Sequence, residues 1–287
     1  LPFLPILCYV LLRGEGGQSP VFYNALMVGA GALVLRAIEQ PRHVDRLGCA
    51  AMLCVGLALQ VKYSVVFEGI YFGVALMLVA AHRARNWRVA LGWAPVWAVC
   101  ALAPTLAALA VYGALGHADA LVSTNFLTVF AQGRNPLREQ MAELLEIVAI
   151  LAPLFVLLTV GRVRRMIPQM GGRSLFLWGW LAASLIGLMA FWRFNSPHYA
   201  LPVLVPLAVL LAPVFDGRSR RARMTLGLLG IALVMTQVVL ADNEARRGGA
   251  RQAALVTQAA KAGLAAAPGC LFVHAGYPAL YMLTGSC

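Results

Sequence analysis

Two short stretches of this sequence set cations, aromatic hydroxyls and an imidazole beside long apolar runs. One is Lys62-Tyr63; the other is Arg193-Phe194-Asn195-Ser196-Pro197-His198-Tyr199. A lysine ammonium is a compact point charge and an arginine guanidinium a two-pronged fork, and both suit a phosphate. His198 and Tyr199 can add hydrogen bonds to the same anion or to a sugar hydroxyl. Glu68 follows Lys62 by roughly 9 Å along a helix, at about 1.5 Å per residue. A carboxylate inside an apolar helix is costly unless paired, so Glu68 either orients Lys62 or Arg193, binds a substrate hydroxyl, or is a protonated, hydrogen-bonded core residue. The plainer readings of the others stand beside these. Lys62 can be a lysine that reaches out to the headgroups, and Arg193, His198 and Tyr199 can be anchors at the membrane surface.

The elements that must position these groups are apolar. The chain has 287 residues, 61% of them hydrophobic and 12% charged. Runs of about 18 or more apolar residues predict spanning helices. They fall at 21–38, 64–81, 89–114, 143–161, 174–192, 200–215 and 224–241. A shorter run, 47–61, is read with 64–81 as a helical hairpin, because one helix over 47–81 would be about 52 Å long. Residues 1–12 read as part of a further helix cut at its N-terminus, since they lack the basic start of a signal peptide. The expected fold is therefore an all-α polytopic membrane protein with about eight full transmembrane helices and a partial one. It comprises a membrane domain over 1–241 and an extracytoplasmic segment over 242–287.

Charge gives an orientation. The connections at 36–46, 83–88, 162–173 and 216–223 hold 14 of the 23 Lys and Arg residues and three of the 11 acids. By the positive-inside rule these loops face the cytoplasm. Lys62, Arg193–Tyr199, the 115–142 loop and the tail from Asp242 then share the opposite face. The net charge of +12 is thus a feature of topology, and no zinc finger or RNA-binding signature accompanies it to suggest a nucleic-acid partner.

Two outer segments have patterns of their own. In 115–142, apolar Val122, Phe126, Val129 and Phe130 share a helical face, so the loop is either an interfacial helix or an irregular loop with some buried Phe. In the tail, 244–266 reads as a soluble helix, 270–274 as a buried strand and 279–283 as the start of a short helix, the beginning of a small α/β domain whose C-terminal end is also cut. Cys270 and Cys287 lie there, either as a disulfide or as two free thiols. Cys8, Cys49, Cys54 and Cys100 read as small hydrophobes. No ligand spacing supports a divalent metal or another cofactor, and there is no Walker A loop, G-x-S-x-G or H-E-x-x-H.

Three motifs carry a resemblance. The run Gly56-Leu57-Ala58-Leu59 with Lys62-Tyr63, the stretch from His198-Tyr199 through Leu201-Pro202 to Pro206, and the tail Pro278-Ala279-Leu280-Tyr281 with Thr284-Gly285 are similar to elements of polyprenyl-phosphate-dependent glycosyltransferases of the GT-C membrane fold. That group includes protein O-mannosyltransferases, bacterial aminoarabinose transferases and RgtA/B/C/D-like lipopolysaccharide glycosyltransferases. The likeness runs over most of the chain from about Gly17. It implies a polyprenyl-phosphate sugar as donor, a glycan, lipid or protein as acceptor, and a multi-pass home in a bacterial-type inner membrane. It also implies that Lys62, with Arg193 and His198, lines the lipid-phosphate site, with Tyr63, Glu68 and Tyr199 as supporting residues. The family's base is an Asp in a first large outer loop, which the match places upstream of residue 1; the first outer acid here, Glu15, does not fit that motif.

Two other classes compete with a transferase. A transporter or flippase would show paired broken helices in two repeated halves, and no such repeat is visible. A non-catalytic polyprenyl-lipid-binding protein needs the binding residues without the base.

Overall fold

The computed structural model describes residues 4–14, 19–123, 127, 136–159, 171–191, 197–212, 231, 235 and 250–266. Among these there is no strand. The chain divides into two compact units, Leu1–Gly230 and Ile231–Cys287.

The first unit is a helical bundle. Its elements are α1 (Leu4–Leu11), α2 (Ser19–Glu39), α3 (Val44–Val61), α4 (Val66–Ala84), α5 (Trp87–Ala114), the short α6 (Ala118–Val122), α7 (Leu137–Thr159), α8 (Gly172–Phe191) and α9 (Leu201–Leu211). Among the described residues six helices are long and apolar enough to cross a membrane, formed by α2, α3 with its leading turn, α4 with its leading turn, α5, α7 and α8. The chain is a multi-pass membrane protein on that measure. The expected span at 200–215 is described as far as 212, and begins as a 3₁₀ turn (Pro197–Ala200) leading into α9. The span expected at 224–241, except for Ile231 and Met235, and the expected strand at 270–274 lie outside the described residues.

The hairpin reading of 47–81 holds. Helix α3 ends at Val61, Lys62 is extended (φ −162°, ψ 128°), and a 3₁₀ turn over Tyr63–Val65 starts α4. At the other end Arg85 takes a left-handed conformation (φ 49°), and the Asn86 side chain accepts from the Arg88 amide at 2.9 Å to cap α5. An Asn cap satisfies one of the amides a helix start leaves open. Helix α7 begins six residues before its apolar run does. Hydropathy sees only the buried part of a helix, whereas its first turn, with Arg138 and Glu139, continues on backbone hydrogen bonds alone.

The core runs through the middle of this unit. Helix α3 packs between α2 and α5, and α8 bridges α4 and α9, while α9 also packs on α7, α1 and α2. An aromatic cluster joins α4 to α8: Phe72 meets Trp180 edge-on at 5.1 Å, Tyr71 stacks on Phe176 at 5.7 Å, and the Tyr71 hydroxyl donates to the Phe176 carbonyl at 2.9 Å. At the end of the bundle away from Lys62, Arg173 Nε pairs with Glu39 Oε1 at 3.0 Å and ties α8 to α2.

The second unit contributes one described helix, α10 (Ala250–Ala266). It lies within the helix expected over 244–266, of which 244–249 lie outside the described residues, and its Leu255 and Val256 are exposed within the described residues.

Candidate functional site

Lys62 occupies the single extended residue between two helical segments. Its amide still donates to the Ala58 carbonyl at 3.0 Å, so the turn is anchored to α3 while the side chain is left to reach elsewhere. It reaches Tyr199: the Lys62 Nζ lies 4.0 Å from the centre of the Tyr199 ring. A cation over an aromatic face is stabilised by about 0.5–2 kcal/mol, more as water is excluded. His198 stacks on the same ring at 4.5 Å with an interplanar angle of 27°.

His198 and Tyr199 are held by the 3₁₀ turn Pro197–Ala200, whose Pro197 and Ala200 are buried. Proline fixes φ and so favours a tight turn at that place. Pro202 sits in the first turn of α9, where its missing N–H leaves no hydrogen bond unmade, and Pro206 lies inside the helix. The turn packs on α7 as well as α9. Thus three residues marked by sequence chemistry come together from two distant segments.

Electrostatics follow from enclosure. Burial pushes the Lys62 ammonium down to about 8 from its usual range. His198 is pushed down to about 4, first by burial, then by the Lys62 charge and then by the Arg13 charge. Burial and like charges both disfavour a cation. At neutral pH the site therefore holds a charged ammonium beside a neutral imidazole. Among the described residues Lys62 makes no ion pair.

Glu68 is placed differently. It is 3% exposed, and its Oε1 accepts a short hydrogen bond from Trp180 Nε1 and another from Ser184 Oγ at 3.1 Å. Trp180 in turn lies against Gly31, where an added Cβ would fall 2.5 Å from the indole. Glycine at 31 lets α2 approach α8 closely enough to seat the indole. Glu68 thus fastens α4 to α8, six residues after Lys62. Tyr23 on α2, 2% exposed, lies within electrostatic reach of Glu68 and Tyr199.

Tyr63 opens the turn after Lys62 and is half-buried. Arg193, Cys270 and Cys287 lie outside the described residues. Ser64, in the turn after Lys62, lies within hydrogen-bonding reach of the Tyr23 side chain, and on α2 Asn24 Oδ1 is buried with no hydrogen-bond partner among the described residues. Among those residues no group of three or more His, Cys, Asp or Glu is placed to hold a metal ion. Cys8, Cys49, Cys54 and Cys100 are free thiols.

Sequence reasoning passed over Tyr23, Trp180, Ser184 and Arg13. Trp180 and Ser184 are four apart and so share a helix face; a Glu in need of donors was the only available pointer to them. Arg13 had a weaker signal, as a cation outside the four basic connections. No family model, curated protein or solved structure matches the chain.

Proposed function

We infer that this chain is a membrane glycosyltransferase that moves a sugar from a polyprenyl-phosphate donor to an acceptor hydroxyl on the extracytoplasmic face. The observation that carries the reading is the approach of Lys62 to Tyr199, 4.0 Å from its ring centre. It joins the two motifs that resemble the GT-C enzymes in one cationic, aromatic cluster. The described residues offer Lys62 no ion pair, which suits a site whose counter-ion is a ligand phosphate.

In this reading the acceptor oxygen attacks the anomeric carbon while the carbon–oxygen bond to the lipid phosphate breaks. The leaving phosphate keeps the electron pair, and Lys62 stabilises its charge. Neutral His198 can donate a hydrogen bond to a phosphate or sugar oxygen. The acceptor proton passes to a base, which the resemblance makes a carboxylate. The Ser64 hydroxyl, in the turn that follows Lys62, offers hydrogen-bonding capacity for a sugar hydroxyl. Arg193 keeps the place beside the lipid phosphate that the resemblance implies.

A lipid donor also needs room for its chain. An apolar cavity of about 290 Å³ lies between α3, α4 and α5, and Leu59 and Val66 at one end of it flank the Lys62 turn in sequence. The acceptor is a glycan, lipid or protein, and the setting is a bacterial-type plasma membrane with the tail after residue 241 outside the cytoplasm.

The test is transfer of labelled sugar from a polyprenyl-phosphate donor in membranes carrying wild type or Lys62→Ala. The variant should lose transfer by about 100-fold, on the scale of one lost transition-state contact, with the same amount of protein in the membrane fraction. Undiminished transfer by the variant, or wild-type protein that neither transfers the sugar nor binds the donor, refutes the reading.

A further inference from the structure

Helix α4 carries glycine where a packed bundle would carry side chains. Gly69 and Gly73 are four apart and so share one face. That face, with Val66 before them and Met77 after, forms one wall of the cavity between α3, α4 and α5. The helices close in on either side of it. A Cβ at Gly69 would fall 2.6 Å from Val55 Cγ1, so α3 leans directly on α4 there. Gly48 meets the Trp97 indole and Gly56 the Ala101 carbonyl, each too closely to admit a Cβ, which draws α3 onto α5. Small residues let membrane helices approach in this way. Gly73, by contrast, faces open space: its nearest neighbour is Met52 Cε, 3.8 Å from where a Cβ would stand.

The space left has the form of a single chain. From Val66 to Met77 it follows α4 for about 16 Å, at about 1.5 Å per residue. Its volume of about 290 Å³ is roughly twice that of an apolar cavity that holds one benzene, room for about a dozen carbons. The residues that line it are all apolar, and the one indole among them, Trp97, turns its N–H to the Asp45 carbonyl at 3.5 Å. Such a cavity is dry and admits hydrocarbon, not a headgroup. Ile70 and Leu102 line it and are also exposed, so it is reached sideways from the bilayer between α4 and α5. Its outer end is set by Leu59 and Val66, which stand either side of Lys62 in the chain.

Many lipid chains fit a slot of this girth, but one is favoured. Once Lys62 holds a phosphate, the chain of that same lipid is tethered within reach of the outer end. Its entry is then an intramolecular step at high effective concentration, which the chain of a free lipid lacks.

We propose that this cavity seats the phosphate-proximal stretch of the lipid held at Lys62, about two to three isoprene units, and that Gly73 on α4 and Ala98 on α5 set its capacity. This rests on the lipid-phosphate reading of the Lys62 site. It adds which part of the chain the protein reads: the first units determine affinity, and the remainder stays in the bilayer.

The test uses the full chain in nanodiscs with three probes: dimethylallyl, farnesyl and undecaprenyl phosphate, which carry one, three and eleven isoprene units. Affinities are compared as ratios of variant to wild type, so that partition of each probe into the bilayer cancels. Gly73→Leu and Ala98→Leu fill the slot from two of its walls. Each should bind dimethylallyl phosphate within about twofold of wild type, and farnesyl and undecaprenyl phosphate about tenfold more weakly, the scale of overpacking an apolar site. That pattern in either variant supports the site, and its absence from both overturns it. Wild-type affinity throughout leaves the slot to other bilayer lipid. A loss confined to undecaprenyl phosphate places the slot further along the chain. An equal loss for all three probes is a structural effect on the Lys62 turn. The function reading stands through each of these if Lys62→Ala still loses binding. Failure of the wild type to bind any of the three overturns this inference and the function reading together.

Discussion

The ammonium of Lys62 should make headgroup binding depend on pH in a window set by its surroundings. Burial brings its pKa to about 8, so the charged form dominates below that value and is lost as pH rises through it. A phosphodiester ligand keeps its single negative charge across the same range. From the charged fraction alone, about nine-tenths at pH 7 and about one-tenth at pH 9, apparent affinity should fall roughly tenfold between the two. His198 titrates near 4, remains neutral throughout, and adds no slope. Lys62→Arg removes the titration, because arginine stays charged; its profile should be flat from pH 7 to 9, whatever its absolute affinity. The assay is equilibrium binding of a lipid-linked sugar phosphodiester to nanodisc-embedded protein at constant ionic strength. A flat wild-type profile, or a slope that survives in Lys62→Arg, would refute the assignment of the ammonium as the phosphate's partner.

Three further outcomes follow from the packing. Glu68→Leu removes the acceptor of Trp180 Nε1, and a stranded buried donor costs about 1–3 kcal/mol. Glu68→Gln keeps an oxygen at that place and should cost under about 1 kcal/mol, and thermal unfolding in detergent separates the two; similar losses would contradict the tie between α4 and α8. Gly31→Leu must push against the Trp180 indole, 2.5 Å from where its Cβ would stand. It should destabilise by about 1–3 kcal/mol, visible as a lower midpoint and altered tryptophan fluorescence. Tyr199→Phe keeps the ring beneath Lys62 and should bind the phosphate lipid within about twofold of wild type, whereas Tyr199→Ala, without the ring, should lose about fivefold, the scale of one cation–π contact; equal affinities in a binding titration would show that the ring is idle.

Much of the bundle was legible before any coordinates. Hydropathy located the six long helices found among the described residues, and the length of 47–81, too great for one span, marked the hairpin whose break falls at Lys62. The starts of helices were less legible: α7 begins six residues before its apolar run, because a helix's first turn needs hydrogen bonds, not hydrophobicity. For the site, Lys62, His198 and Tyr199 announced themselves by chemical type alone. Arg13 did not, since a single cation in a short loop is common.

Length, apolar runs, charge asymmetry and the presence of a lysine at a helix break are local properties, and the sequence determined them. The partners were decided by tertiary packing. Which ring lies under Lys62, which donors take Glu68, and which cation reaches His198 all depend on the rotation and depth of helices far apart in the chain. Trp180 and Glu68 are separated by 112 positions, and no local pattern carries that pairing. The physical reason is that an apolar helix in a bilayer gains similarly from lipid on any face. Shape and hydrogen bonding between helices, here Gly31 against Trp180 and Glu68 between Trp180 and Ser184, select the arrangement.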